Sequence, residues 1–258
     1  EKIKTRTADF EKIIENYKVS MKNLASCGVY VICYNFMPIL DWTRTKLDMV
    51  MEDGSLALEF NASELRVFDL YILQRAGAEK DYTPEVIQQT KTHFESLAEK
   101  DIARISDNVL KGLPGSEEGY SMEEFKEMLE TYQGIDADQL RLHLVQFLSE
   151  IIPLAESLGI KMCIHPDDPP FTLLGLPRVV STIEDYKYIF DKVTPLSNGI
   201  TFCTGSLGVR ADNDLPAIFD AYADRVHFLH LRSTKRDPQG NFYEADHLTG
   251  DVDMFEII

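Results

Sequence analysis

Apolar residues at Phe10, Ile13, Ile14, Tyr17, Met21 and Leu24 recur at the interval of an amphipathic helix, and Gly28 follows as its stop. The next stretch, residues 29–36, is a short apolar run and predicts a buried strand. A second stripe, Leu140, Leu144, Phe147, Leu148, Ile151, Ala155 and Leu158, follows a capping Asp136, with Pro153 expected to kink or divide the helix. A strand over residues 160–165 comes next. A helix opening on a Ser181/Glu184 capping box leads to a strand ending near Cys203, and a helix opening near Asp212 to Asp214 leads to one ending near His230.

Residues 42–134 depart from this rhythm: no strong strand is evident, and helical pieces are separated by Pro, Gly and charge clusters, so the stretch is read as a mostly helical insertion. Thr83 before Pro84 and Glu85 marks one helix start, and Ser121 with Glu124 has capping-box spacing. Residues 112–119 read as a flexible surface loop. Its glycines make a weak phosphate cradle, because no strand precedes them and no Lys-Ser/Thr follows.

Alternating strands and helices imply a parallel sheet, either a barrel or a doubly wound layer. Reactive residues at several strand ends favour the barrel, whose sites collect at that face. The expected fold class is therefore α/β, a (β/α)8 TIM barrel in one domain over residues 1–258. Only four convincing strands are visible, so the barrel is incomplete in this sequence. Glu1 to Thr7 is polar and lacks an initiator Met, and Ile258 falls in an unfinished helix; the chain is expected to be part of a longer protein.

Composition narrows the partners. Basic residues number 26 against 43 acidic ones, for a net charge of −17, which repels nucleic-acid phosphates. With 44% apolar residues and no membrane-length apolar run, neither a membrane span nor a signal peptide is expected. The four cysteines lack a disulfide-framework spacing, so a cytoplasmic location is expected. Cys27 and Cys33 read as core, and Cys163 as barrel interior one layer below His165.

The chemistry gathers at strand ends. Alternation puts Cys163 and His165 on one face, Thr201, Cys203 and Gly205 on another strand's face, and Phe228, His230 and Arg232 on a third. His165, Cys203 and His230 together suit a divalent transition metal, with zinc favoured by the thiolate. His227 points away and should pack on a helix, while His93 and His143 read as surface groups. His247 is either loop polarity or a substrate contact. Arg210, in a loop feeding a helix start, can hold an anion or simply sit at the surface. Asp167 and Asp168, beside Pro166 and Pro169, can be ligands, a base or turn formers, with the turn role as the default.

These residues lie in motifs that resemble bacterial mannonate dehydratase over essentially the whole chain: Cys33 to Pro38, Asp41 to Thr45, His165 to Pro170, Cys203 to Ser206, His230 to Thr234 and Gly250 to Met254. The resemblance implies a xylose-isomerase-type barrel that dehydrates D-mannonate to 2-keto-3-deoxy-D-gluconate in hexuronate catabolism. It implies His165, Cys203 and His230 as ligands of Mn2+, with Fe2+ or Zn2+ as substitutes, and a further Asp-His pair and a tyrosine beyond Ile258. Loss of water from an anionic sugar acid needs local positive charge, so Arg232 or Arg210 is expected to pair the substrate carboxylate. A homodimer is the expected assembly. The competing readings are a sugar isomerase or epimerase on the same barrel and a non-catalytic metal-binding protein.

Overall fold

The computed structural model describes residues 1–111 and 119–258, so the greater part of the glycine-rich stretch lies outside the described residues. The first third runs α1 (Lys2–Thr5), α2 (Phe10–Ser26), β1 (Val31–Tyr34), β2 (Lys46–Val50), β3 (Leu56–Phe60), α3 (Ala62–Val67) and α4 (Pro84–Ser96). Then come α5 (Glu99–Lys111), α6 (Met122–Glu130), α7 (Ala137–Leu158), β4 (Lys161–Ile164), α8 (Ile183–Lys192) and β5 (Asn198–Cys203). The last part holds α9 (Thr204–Gly208), α10 (Leu215–Tyr222), β6 (Val226–His230), β7 (Ser233–Arg236), β8 (Phe242–Ala245) and α11 (Met254–Ile257).

The four strands read from the sequence form one parallel sheet in the order β1-β4-β5-β6. The sheet is open, and its curl brings the two edge strands, β1 and β6, toward each other. β5 is buried along its whole length, as a strand covered on both faces must be. β1 was expected to be a buried strand over residues 29–36; it is shorter, and Val29, Tyr30 and Val31 are 42–50% exposed because they lie at an edge. Cys33 and Cys27 are likewise exposed rather than core, Cys27 because it caps the end of α2.

Residues 42–134 contain strands as well as helices. β2 and β3 make a hairpin through Asp53 and Gly54, whose φ of 86° suits the turn, and they join β8 and β7 in a second, antiparallel sheet of order β2-β3-β8-β7. Phe60 and Phe242 stack across it at 5.1 Å, and Phe171 from the loop after β4 meets Phe60 at 5.5 Å. The second sheet is thereby tied to the loops that leave the parallel strands.

Helix α7 buries the expected stripe, Leu140, Leu144, Phe147, Leu148, Ile151 and Ala155, and Asp136 accepts from the Gln139 N–H at 2.8 Å. It runs through Pro153 as one helix instead of dividing. Pro153 and Ser149, whose carbonyl loses its helical donor, both face outward, where water can supply the missing bond.

Helix α8 starts one residue later than its sequence suggests: Thr182 is the N-cap and Asp185 completes the capping box. The buried Asp185 carboxylate also accepts from the Ser181 N–H at 3.0 Å and from Arg141, whereas Glu184 is exposed. Asp185→Ala should therefore cost about 2 kcal/mol, the scale of a buried charged hydrogen-bond acceptor. Glu184→Ala should stay within about 0.5 kcal/mol in the same urea titration. Equal losses in the two variants would contradict the observed cap.

Candidate metal centre

Each of the last three parallel strands delivers one donor to the same point. His165 follows β4 and extends its ladder, giving its N–H to the Tyr34 carbonyl at 2.7 Å; Cys203 ends β5 and His230 ends β6, where the two are register partners. In a flat sheet β4 and β6 would stand about 9–10 Å apart. The curl and the lean of both side chains over β5 instead bring the two imidazole centroids to 5.7 Å. His230 Nδ1 and His165 Nε2 are 3.4 Å apart, and with Cys203 Sγ the three donor atoms lie within 4.8 Å of one another.

The donor chemistry fits a divalent ion. The His165 Nδ1–H is held by the Pro166 carbonyl at 2.7 Å, which leaves the Nε2 lone pair aimed at the cluster, the orienting contact that metal-bound histidines generally have. Two nitrogens at about 2.0–2.1 Å from one tetrahedral ion stand roughly 3.4 Å from each other, the separation seen here. Burial pushes the Cys203 thiol up, but the adjoining His165 and His230 side chains and the Arg232 charge outweigh it, so the group sits well below the ordinary thiol value. The contrast with Cys163 is instructive: burial and the neighbouring Cys33 push that thiol up to about 12. Only Cys203 is poised as a thiolate, the form that ligates metal.

Behind the sulfur lies a square of alternating charges. Asp168 accepts from Arg44 Nη1 at 2.7 Å and from Arg232 Nη1 at 3.0 Å; Glu244 Oε1 accepts from Arg44 Nη2 and Arg232 Nη2, each at 2.7 Å. Arg44 is wholly buried, its guanidinium 4.6 Å from the Trp42 ring centroid and 4.7 Å from that of Phe242. Asp168 is 1% exposed; its burial would raise its pKa, yet the two guanidinium groups hold it well below the usual carboxylate range. Arg232 Nη1 also reaches Cys203 Sγ at 3.8 Å, and Ser206 Oγ bridges Asp168 at 3.0 Å and Cys203 Sγ at 3.3 Å. Gly205 makes the arrangement fit, since a Cβ there would lie 2.6 Å from the Arg232 Cβ and 2.8 Å from its Nε.

These contacts place the remaining candidate residues. Asp168 is the hub of the buried charges rather than a turn former, and buried Asp167 accepts from the Val180 N–H at 2.7 Å and Ser181 Oγ at 2.8 Å, pinning the loop. Arg232 was expected to meet a substrate carboxylate; two protein carboxylates already occupy its guanidinium. Arg210 is not part of the cluster: it pairs with Asp212 at 2.6 Å and donates to the Pro170 carbonyl at 3.3 Å. His247 is exposed, with Nε2 3.0 Å from the Leu231 carbonyl, beside the strand end but outside the donor cluster. His227 meets the Leu196 carbonyl in a loop rather than a helix, and His143 is buried against the Lys4 carbonyl instead of lying on the surface. His93 is partly buried, with Nδ1 2.7 Å from Ser63 Oγ.

The sequence reading missed Arg44, Glu244 and Ser206 as parts of the centre. Arg44 lies within one of the recognisable motifs, but nothing local marks it as buried. Glu244 sits on β8 opposite Thr234, in a strand that was not anticipated.

Comparison with known proteins agrees with the geometry. The family model described as D-mannonate dehydratase (UxuA) matches residues 1–258. A mannonate dehydratase from Marinomonas sp. (strain MWYL1) is 51% identical over 259 residues, covering 100% of this chain and 66% of that protein. One from Saccharophagus degradans (strain 2-40 / ATCC 43961 / DSM 17024) is 47% identical over 256 residues, covering 99% of this chain and 64% of that protein. The crystal structure of mannonate dehydratase from Streptococcus suis serotype2 superposes with a TM-score of 0.72 at 30% identity, over 99% of this chain and 59% of that one. The chain thus spans slightly under two thirds of the length of these curated relatives.

Proposed function

The chain belongs to the D-mannonate dehydratase family, and from that premise we propose that the whole protein converts D-mannonate to 2-keto-3-deoxy-D-gluconate, with His165, Cys203 and His230 holding a divalent ion. The observation that carries the reading is the convergence of these three donors from three strand ends, with Cys203 alone among the strand thiols poised as a thiolate.

The reaction breaks a C–H bond next to the carboxylate and the C–O bond on the neighbouring carbon. Proton and hydroxide leave as water, and the resulting enol becomes the keto acid. A bound ion, Mn2+ in preference to Fe2+ or Zn2+, supplies a Lewis acid for the negative charge that develops on substrate oxygens. His165 and His230 contribute neutral donors. Cys203 contributes an anionic one, with Ser206 Oγ 3.3 Å and Arg232 Nη1 3.8 Å from its sulfur. The four parallel strands make up half of the proposed eight-stranded barrel, with the site at its C-terminal face. A cytoplasmic sugar-acid enzyme is consistent with the acidic chain and with the finding that no helix among the described residues is long and apolar enough to cross a membrane.

Full-length protein incubated with D-mannonate and Mn2+ should form a 2-keto-3-deoxy acid, and chelation should stop it. Recovery of an isomerised or epimerised hexonate, or of mannonate unchanged, would overturn the assignment.

A further inference from the structure

Four buried or half-buried charges need a reason to be where they are. Each ion taken from water costs several kcal/mol, and a buried ion network is seldom more stable than apolar residues of the same volume. The square of Arg44, Asp168, Arg232 and Glu244 does, however, fix one guanidinium in one orientation. Both edges of Arg232 are committed, Nε and Nη2 to Glu244 at 3.2 and 2.7 Å and Nη1 to Asp168 at 3.0 Å. The same Nη1 lies 3.8 Å from Cys203 Sγ. Arg44 makes the corresponding contacts from the opposite side and is hydrogen-bonded to neither the sulfur nor the histidines; it reaches the centre through its two carboxylates.

We infer that Arg44 is a positioning residue for the metal centre: by closing the charge square with Asp168 and Glu244, it holds the Arg232 guanidinium against Cys203 and so sets how much negative charge the sulfur can give to a bound ion. Hydrogen bonds to a ligating sulfur draw charge away from it, and such outer contacts are worth roughly 10–100-fold in metal affinity. Without Arg44, each carboxylate keeps a single guanidinium partner. Arg232 is then pulled toward a reorganised Asp168 and Glu244 and away from the sulfur. The aromatic faces of Trp42 and Phe242 on Arg44 keep water from taking its place. The second sheet thereby acquires a task, since it supplies Glu244 and is joined to the segment carrying Arg44.

This inference rests on the metal reading above, and the test separates the two. Cobalt(II) is loaded into full-length wild-type protein, Arg44→Met and Glu244→Gln, and the sulfur-to-cobalt charge-transfer absorption and the cobalt dissociation constant by chelator competition are measured alongside melting temperature. Both variants should move the band to lower energy, because a sulfur with fewer hydrogen-bond donors gives up its electrons more readily; both should also bind cobalt roughly tenfold more weakly, because the donors are no longer held in place before the ion arrives, a loss that outweighs the stronger sulfur. Glu244→Gln keeps the shape of the site, so it carries the comparison even if Arg44→Met does not fold. Folded variants with a wild-type band and affinity, altered only in melting temperature, would show the square to be structural and overturn the inference alone. A wild-type protein that gives no sulfur-to-cobalt band would overturn the metal reading and this inference with it.

Discussion

A Cys203→Ser variant is expected to keep its fold and lose its metal. The sulfur is fully buried at the end of β5, between Ser206 and Arg232, and a serine of nearly the same shape leaves that packing in place. What changes is the charge. Cys203 is held well below the ordinary thiol value despite its burial, whereas a serine hydroxyl does not ionise at neutral pH, so the site loses its one anionic donor among the described residues that converge there. Loss of an outer contact to a metal site costs roughly 10–100-fold in affinity, and loss of a ligand should exceed that range. Equilibrium dialysis against Mn2+ with far-ultraviolet circular dichroism as the fold control measures both halves. Wild-type metal content in the serine variant would remove Cys203 from the ligand set.

The largest stability loss is expected from Asp168→Ala. Its carboxylate is 1% exposed and accepts from two guanidinium groups and a hydroxyl, so its removal leaves Arg44, wholly buried, and Arg232 facing one another with Glu244 as their shared acceptor. Removing one partner of a buried ion pair costs about 3–5 kcal/mol, a large share of the 5–15 kcal/mol by which a typical domain is stable. The deficit should also depend on pH with a definite sign. Asp168 has its folded pKa depressed, so its stabilisation is complete above the unfolded value of about 3.9 and is lost as pH falls below it. The gap between wild type and Asp168→Ala in urea titrations of metal-free protein should therefore be widest near neutrality and narrow in acid. A loss under about 1 kcal/mol at neutral pH would mean that the square's attraction only balances the cost of burying it.

The legible parts of the molecule were those written within a few consecutive residues. The helix starts at Thr83, Ser121 and Asp136 were readable because a cap needs only a side-chain oxygen and a nearby N–H. The cap of α8 was misplaced by one residue because Ser181-Thr182-Ile183-Glu184-Asp185 offers two registers of the same motif; burial of Asp185 against Arg141 favours the later one. The hairpin of β2 and β3 had a signal, Asp53-Gly54 between alternating stretches, but strands so short carry little periodicity against a background of helical pieces. Likewise β7 and β8 are four residues each, too short to stand out after the strand that ends at His230.

By itself the sequence determined the parallel strands, the helices between them and the three donors at their ends, because strand alternation and the residue type at a strand's last position are local properties. Only the tertiary structure decided that Arg232 faces protein carboxylates, that Asp168 is a hub rather than a corner, and that Arg44 belongs to the centre at all. Arg44 meets Asp168 across 124 residues and Glu244 across 200. The strength of those contacts comes from exclusion of water, which is a property of the packed interior and leaves no period or spacing along the chain.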